Sequence, residues 1–475
     1  MTDLHELDAT GQAELVARGE LTARELVDHA IARIEARNPE LNAVIWSDFD
    51  HARAAADALP AEGNGGDGEV PFRGVPFLIK DIGATQAGLP YWLGNRALKA
   101  AGVRRDTDTE LGARFRSAGL ITLGKTNLPE VGSSPTTQPL SCGPTANPWD
   151  TARSPAGSSG GSAAAVASGM VPIAHANDGG GSTRLPAAWC GLVGLKPTRG
   201  LVANPESIAR TTSELAVTKT VRDTARLLDA VCGATDADLY VAPVPDRPYT
   251  AVLDRADGPL RVAMLTDGGR WDVDPECVAG VEATARLLTG LGHEVEPVGS
   301  EVLLGEGSAV NGRLWQAGIA RRVQALGEVL GRPLTEDEVD PYNWTAAERG
   351  KSMPAADYVA AMEEQQLWAM SVIEWSAGWD LLLTPTAGTP PLTTEELWPP
   401  EAKPWKIGPT YGRIGAFTLP FNVTGQPAIS LPLHRTESGL PVGIQLVAAM
   451  NRDDLLLSVA ADLEQAAPWA DLYPY

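Results

Sequence analysis

Apolar residues at Leu26, Val27, Ala30, Ile31 and Ile34 recur with the period of one helical face, directly after Thr22-Ala23-Arg24-Glu25, which has the form of a capping box. The pattern predicts an amphipathic helix that ends before Asn38-Pro39, because the residue preceding a proline is steered out of helical backbone. A polar, glycine-rich loop follows at 62–69, and Val75-Pro76-Phe77-Leu78-Ile79 then predicts a buried strand running into Lys80. Leu120 to Leu123, Leu192 to Leu195 and Leu260 to Leu265 predict further strands. Ala163 to Met170 is small and helix-compatible, so the Gly157-Ser158-Ser159-Gly160-Gly161 loop is expected to open a helix. From about 275 to 378 the pattern is helical and rich in Glu, Ala, Leu and Trp; Leu381 to Leu383 and Ala428 to Leu431 restore strand-like runs around a Pro-rich loop at 390–409. This alternation predicts an α/β sheet covered on both faces.

Composition narrows the partners. The chain has 475 residues, 44% apolar and 21% charged, an ordinary balance for a large folded protein. A formal charge of −22 argues against nucleic acid as a partner, since a phosphate backbone is held mainly through positive charge. The N-terminal stretch lacks the apolar core of a signal peptide, and no run approaches the roughly 18 apolar residues of a membrane span, so a cytoplasmic protein with no membrane partner is expected. Cys142, Cys190, Cys232 and Cys277 are scattered without metal-like spacing, which predicts free thiols and no metal.

Glycine is densest between Ser154 and Arg199, where it surrounds Ser158-Ser159 and precedes Ser182. Such backbone suits two tasks, cradling an anion with N–H groups or stabilising an oxyanion beside a nucleophile. The run Gly119 to Thr126 fits the phosphate-loop pattern GxxxxGK[ST], but Leu120-Ile121-Thr122-Leu123 favours a buried strand over an open cradle, and Asn127-Leu128-Pro129 discourages the helix that should follow. A histidine triad fits poorly as well. There are six histidines, Ser182 does not sit in GxSxG, and His175 is more simply structural. Lysine can serve as the base when desolvation populates its neutral amine. On pattern alone Lys80 has two readings, a strand-end lysine snorkelling to solvent and a buried base.

The sequence resembles the amidase signature family of serine hydrolases along essentially its whole length. The matching pieces are Gly74 to Asp81, Gly124-Lys125-Thr126-Asn127, Asn147-Pro148-Trp149, Gly157 to Ser162, Asp178 to Ser182 and Gly191 to Thr198. The resemblance implies a mixed, mostly parallel central sheet covered by helices on both faces, with a helical, Trp-rich region in the C-terminal half. It implies one domain over 1–475, with a core at about 60–270 and 380–475, N-terminal helices in 1–60 and a helical cap at about 275–378. It also implies a Ser-cisSer-Lys triad with Ser182 as nucleophile, Ser158 as bridging serine after a cis peptide, and Lys80 as base. By the same resemblance Gly179, Gly180 and Gly181 form the oxyanion hole. Ser159, Asp178 and Arg184 support the site, where ordinary loop hydrogen bonding is the competing reading. Val131, Gly132, Ser133 and Thr136 fall in the stretch that borders the acyl pocket.

Two positions depart from the family pattern: Ala156 replaces a common glycine, and Asn177 stands where threonine often precedes the aspartate. Both are expected to alter pocket shape rather than chemistry. Trp368, Trp375 and Trp379, spaced at seven and four residues, are expected to be core rather than a substrate platform. Within the family the chain is similar to hydrolases of cyclic and linear aminohexanoate amides, in Ala176 to Ser182, Gly331 to Asp337 and Pro420 to Pro432. That implies a cofactor-free enzyme, monomer or homodimer, whose partner is a small uncharged amide, or by the same triad a carbamate or ester. An amidotransferase subunit feeding ammonia to a tRNA-bound acyl group shares the triad and is the alternative of another class.

Overall fold

The computed structural model describes residues 3–59, 70–204, 211–254, 258–398 and 407–474. The expected loop at 62–69 lies outside these residues, as does 399–406 of the Pro-rich loop. Eleven strands form one sheet: β1 Val44–Ser47, β2 Pro76–Lys80, β3 Ile121–Thr126, β4 Ile173–Asp178, β5 Val193–Lys196, β6 Ser213–Thr218, β7 Arg261–Met264, β8 Glu294–Pro297, β9 Leu381–Pro385, β10 Ala428–Arg435 and β11 Pro441–Ala448. Their spatial order is β1-β3-β2-β4-β6-β5-β10-β11-β9-β7-β8. The sheet is mixed and helix-covered, as expected, but the expected parallel majority is corrected. Four neighbouring pairs are parallel, β3–β2, β2–β4, β9–β7 and β7–β8, and the other six are antiparallel. At the centre β10 and β11 form an antiparallel hairpin closed by a short turn at 436–440, and β5 pairs antiparallel with both β10 and β6.

The central strands are buried on both faces, and β2 is apolar up to Lys80 without alternation for that reason. Phe77 and Ile79 point to one cluster with Leu111, Phe115 and Leu228; Leu78 points to the other with Val27, Ile31 and the small helix Gly160–Ala167. The strand runs predicted at Val75, Leu120, Leu192, Leu260, Leu381 and Ala428 are all strands. The N-terminal helix carries the predicted capping box at Thr22 and Glu25, but it continues through Pro39 to Leu41. Asn42 ends it in a left-handed conformation, and Asn38 Oδ1 accepts from the N–H groups of Ala43 and Val44 and fixes the chain's exit. Trp368 is buried as expected, whereas Trp375 and Trp379 are only partly buried and pack against the edge of its cluster. Helices Val310–Leu330, Pro341–Lys351 and Ala355–Ser376 fill the predicted helical stretch, which also holds the unpredicted strand β8. Among the described residues no helix is long and apolar enough to cross a membrane.

Candidate active site

Lys80 ends β2, and the glycine-serine loop leaves the end of β4, its parallel neighbour. Both functional ends therefore lie at the carboxyl edge of adjacent strands, where α/β sheets bind ligands. The Lys80 side chain is wholly buried, which settles the choice between a snorkelling and an interior lysine. Its Nζ lies 2.7 Å from Ser158 Oγ, 2.8 Å from Ser159 Oγ and 2.7 Å from Asn177 Oδ1. Among the described residues no carboxylate forms an ion pair with it. Burial pulls its pKa down, the charges of Glu214 and Asp178 oppose that, and Arg322 adds to it, leaving Lys80 lowered to about 7.

Ser158 follows a cis peptide from Gly157, as the family resemblance implied, and Ser159 leads into helix Gly160–Ala167. A Cβ on Gly157 would lie 2.5–2.7 Å from the backbone of Thr136 and Ser134, so only glycine fits against that loop. The Ser159 N–H donates to the carbonyl of Ser182 at 3.2 Å, which brings residue 182 beside the serine pair. Ser182 itself is half-buried, in the turn between β4 and helix Arg184–Cys190.

Asp178 organises that turn. Its carboxylate accepts from the N–H groups of Gly181 at 2.6 Å, Thr183 at 3.2 Å and Arg184 at 3.3 Å. Arg184 grips it with Nε and Nη2, each at 2.9 Å, and extends to Gln445 and Asn422 at 2.7 Å. Burial alone would raise the Asp178 carboxyl, but the Arg184 charge and these hydrogen bonds hold it far below the usual range. Asp178 and Arg184 thus support the loop. One part of the expected oxyanion hole is corrected: the Gly181 N–H is committed to Asp178, and Gly181 is buried at φ 128°. Gly179 and Gly180 are partly exposed and remain available to a ligand.

The chain matches the family model described as Amidase over residues 25–457. It is 42% identical to the 6-aminohexanoate-cyclic-dimer hydrolase of Pseudomonas sp. (strain NK87), across 98% of this chain and 96% of that one. The chain belongs to the amidase family. The structure of a 6-aminohexanoate cyclic dimer hydrolase complexed with substrate superposes with a TM-score of 0.92 at 40% identity, covering 99% of both chains. That of a bacterial aryl acylamidase of the amidase signature family superposes with a TM-score of 0.88 at 29% identity, covering 99% of this chain and 98% of the other. The protein is accordingly an enzyme that hydrolyses amide bonds.

Around this amidase centre the predicted pocket residues divide. A Cβ on Gly132 would come within 3.4 Å of Ser158 Oγ, so Gly132 borders the site. Ser133 is half-buried beside it. Thr136 is buried and backs Gly157 through its main chain. Val131 is corrected: its side chain packs away, among Ile319, Val323 and Leu326 of helix Val310–Leu330, the cap helix, while its carbonyl accepts from Arg322 Nη1 at 3.1 Å. Ala156 adopts φ 60°, a left-handed conformation costing about 1 kcal/mol for a residue with a Cβ, which explains the frequent glycine there.

Sequence reasoning missed Asn177, Glu214, His175 and Arg322 as parts of this centre. Asn177 Nδ2 donates to Glu214 Oε1 at 3.2 Å, and His175 Nε2 lies 2.8 Å from Glu214 Oε2. Asn177 therefore touches Lys80 directly, so its departure from threonine reaches the buried lysine and not only the pocket shape. The polar pair His175 and Asn177, two residues apart and so on one face of a strand, was the one local hint of buried polar side chains on β4.

Proposed function

We propose that this amidase cleaves small uncharged amides through an acyl-enzyme, with Ser182 as nucleophile, Ser158 as proton relay and Lys80 as base. The observation that carries the reading is a buried lysine held 2.7 Å from Ser158 Oγ by neutral acceptors alone, with its pKa lowered to about 7. A neutral amine at that position accepts the proton that Ser158 passes on from Ser182, and returns it to the leaving amine. Gly179 and Gly180 supply the backbone donors for the developing oxyanion, where one donor contributes about 3 kcal/mol. Asp178, clamped by Arg184, holds the loop in shape and takes no proton, because its carboxyl stays ionised well below neutral pH.

The relatives' names support a linear or cyclic aliphatic amide, such as an aminohexanoate oligomer, or an aryl amide as substrate. Turnover of an aryl amide and of a cyclic aliphatic diamide, each beside its matched ester and carbamate, tests the substrate class. A fluorophosphonate adduct is expected on Ser182, and an adduct elsewhere overturns the nucleophile. Loss of turnover is expected in both Ser182→Ala and Lys80→Ala with the fold intact; substantial remaining activity in either removes that residue from the mechanism.

A further inference from the structure

We infer that Asn177, held in orientation by Glu214, is a positioning residue that aims the lone pair of neutral Lys80 at Ser158. The inference rests on the reading of Lys80 as base. A neutral amine has two N–H donors and one lone pair, and Nζ has three close oxygens to serve: Ser158 Oγ, Ser159 Oγ and Asn177 Oδ1. The Ser159 hydroxyl directs its own proton to the Asn177 carbonyl at 3.4 Å, so its oxygen accepts from Nζ. Asn177 is the decisive partner. A side-chain amide reads either way in isolation, but Nδ2 lies 3.2 Å from Glu214 Oε1, and a carboxylate only accepts. Turning the amide over would set oxygen against carboxylate and NH₂ against the lysine, so Oδ1 must face Nζ and must accept. With both N–H groups assigned, the lone pair is left for the Ser158 hydroxyl.

Glu214 is fixed in turn. Asn177 and Glu214 stand directly opposite each other on β4 and β6, and the Glu214 side chain is buried. Burial holds His175 neutral, so it has one N–H, which goes from Nε2 to Glu214 Oε2 at 2.8 Å and leaves Nδ1 without a partner among the described residues. Asn204 Nδ2 lies 3.4 Å from Glu214 Oε1. The space around the relay is reserved by Gly83 at φ 79°, where a Cβ would lie 2.7 Å from both Glu214 oxygens and 2.9 Å from Asn177 Nδ2. The charged groups acting on Lys80 are Glu214 on β6, Asp178 on β4 and Arg322 on the cap helix; His175 and Tyr91 face Glu214.

The test is the pH profile of kcat and kcat/KM of the full-length enzyme on an aryl amide, for Asn177→Leu, Asn177→Thr and Glu214→Gln, with thermal melts to confirm folding. Asn177→Leu should lower kcat by about 10- to 100-fold with KM within a few-fold, since only transition-state proton transfer is impaired. Asn177→Thr restores an acceptor and should recover most of that loss. Glu214→Gln should lower the plateau and also move the acid limb to lower pH, because the anion favouring the ammonium is gone. A merely structural role would cost folded enzyme without lowering the plateau per folded molecule. A folded Glu214→Gln enzyme with an unchanged plateau and limb overturns the inference, and so does a folded Asn177→Leu enzyme at full kcat. Should Asn177→Leu fail to fold, the Glu214→Gln plateau decides: a plateau at the parent's level overturns the inference, because the limb reports the charge of Glu214. Lys80→Ala in the same assay separates the two ideas: if it is inactive while the other variants behave as the parent, only the positioning role fails.

Discussion

Two lysines on adjacent strands, Lys80 on β2 and Lys125 on β3, are equally buried and do different things. In the parallel register Lys80 stands level with Thr126, and Lys125 with Ile79, so alternation sends the two side chains to opposite faces of the sheet. Lys80 meets two hydroxyls and an amide, all uncharged. Lys125 meets Asp81, with Nζ 3.8 Å from Oδ1, under the ring of Tyr91. Burial pushes Lys125 down and Asp81 up, and their mutual attraction opposes both shifts, so that pair holds together as a structural unit. Burial alone therefore does not make a lysine a base. The neighbours must accept hydrogen bonds without supplying a charge that keeps the proton on.

The largest effect separates the two directly. Lys80→Met should reduce kcat by three orders of magnitude or more, roughly the loss seen when a member of a catalytic triad is removed, with little loss of stability. Lys125→Met should do the opposite: it leaves the Asp81 carboxylate buried and unpaired, at a cost of about 3–5 kcal/mol in urea unfolding, with turnover per folded molecule near the parent's. Comparable activity losses in both variants would break the distinction. Arg184→Met belongs with Lys125→Met in stability, about 3–5 kcal/mol, because it strips the buried Asp178 of its cation. It should differ in also lowering kcat, since Asp178 holds the turn that carries Ser182.

The sequence made the Lys80 end of this comparison legible and hid its partners. An apolar run delivering a lysine, a Ser-Ser pair among glycines and a family pattern were enough to nominate Lys80, Ser158 and Ser182. What could not be read was β4, because Ile173–Asp178 carries His175, Asn177 and Asp178 into the interior. A strand of that composition is stable only when distant residues satisfy it, here Glu214, Arg184 and Asn422. No local periodicity announces such partners. The same limit explains Gly181, whose N–H looked free for a substrate until the Asp178 side chain folded back onto it. Lys125 was legible only in part: the run Leu120 to Leu123 favoured a strand over a phosphate loop, as the pairing with β2 bears out, but nothing local pointed to Asp81 as the lysine's partner.

A smaller effect tests whether the Lys80 setting is tuned from outside its hydrogen-bonded shell. On the proposed mechanism Lys80 acts as base when neutral, so kcat/KM should rise with pH through about 7 and fall away below it, as the ammonium forms. Arg322 lies on the cap helix, hydrogen-bonded to the Val131 carbonyl beside Gly132, and its positive charge disfavours the ammonium. Removing that charge in Arg322→Leu should raise the Lys80 pKa and move the acid limb to higher pH, by roughly half a unit to one unit for a charge acting across several ångströms at an intermediate dielectric constant. Arg322→Lys keeps the charge and should leave the limb in place while altering the contact with Val131. The shift is opposite in sign to that expected for Glu214→Gln, so one pH titration of the two variants reads both charges at once. A limb that stays fixed in Arg322→Leu, or moves the same way in both, would mean that the proton on Lys80 answers to its hydroxyl and amide partners alone.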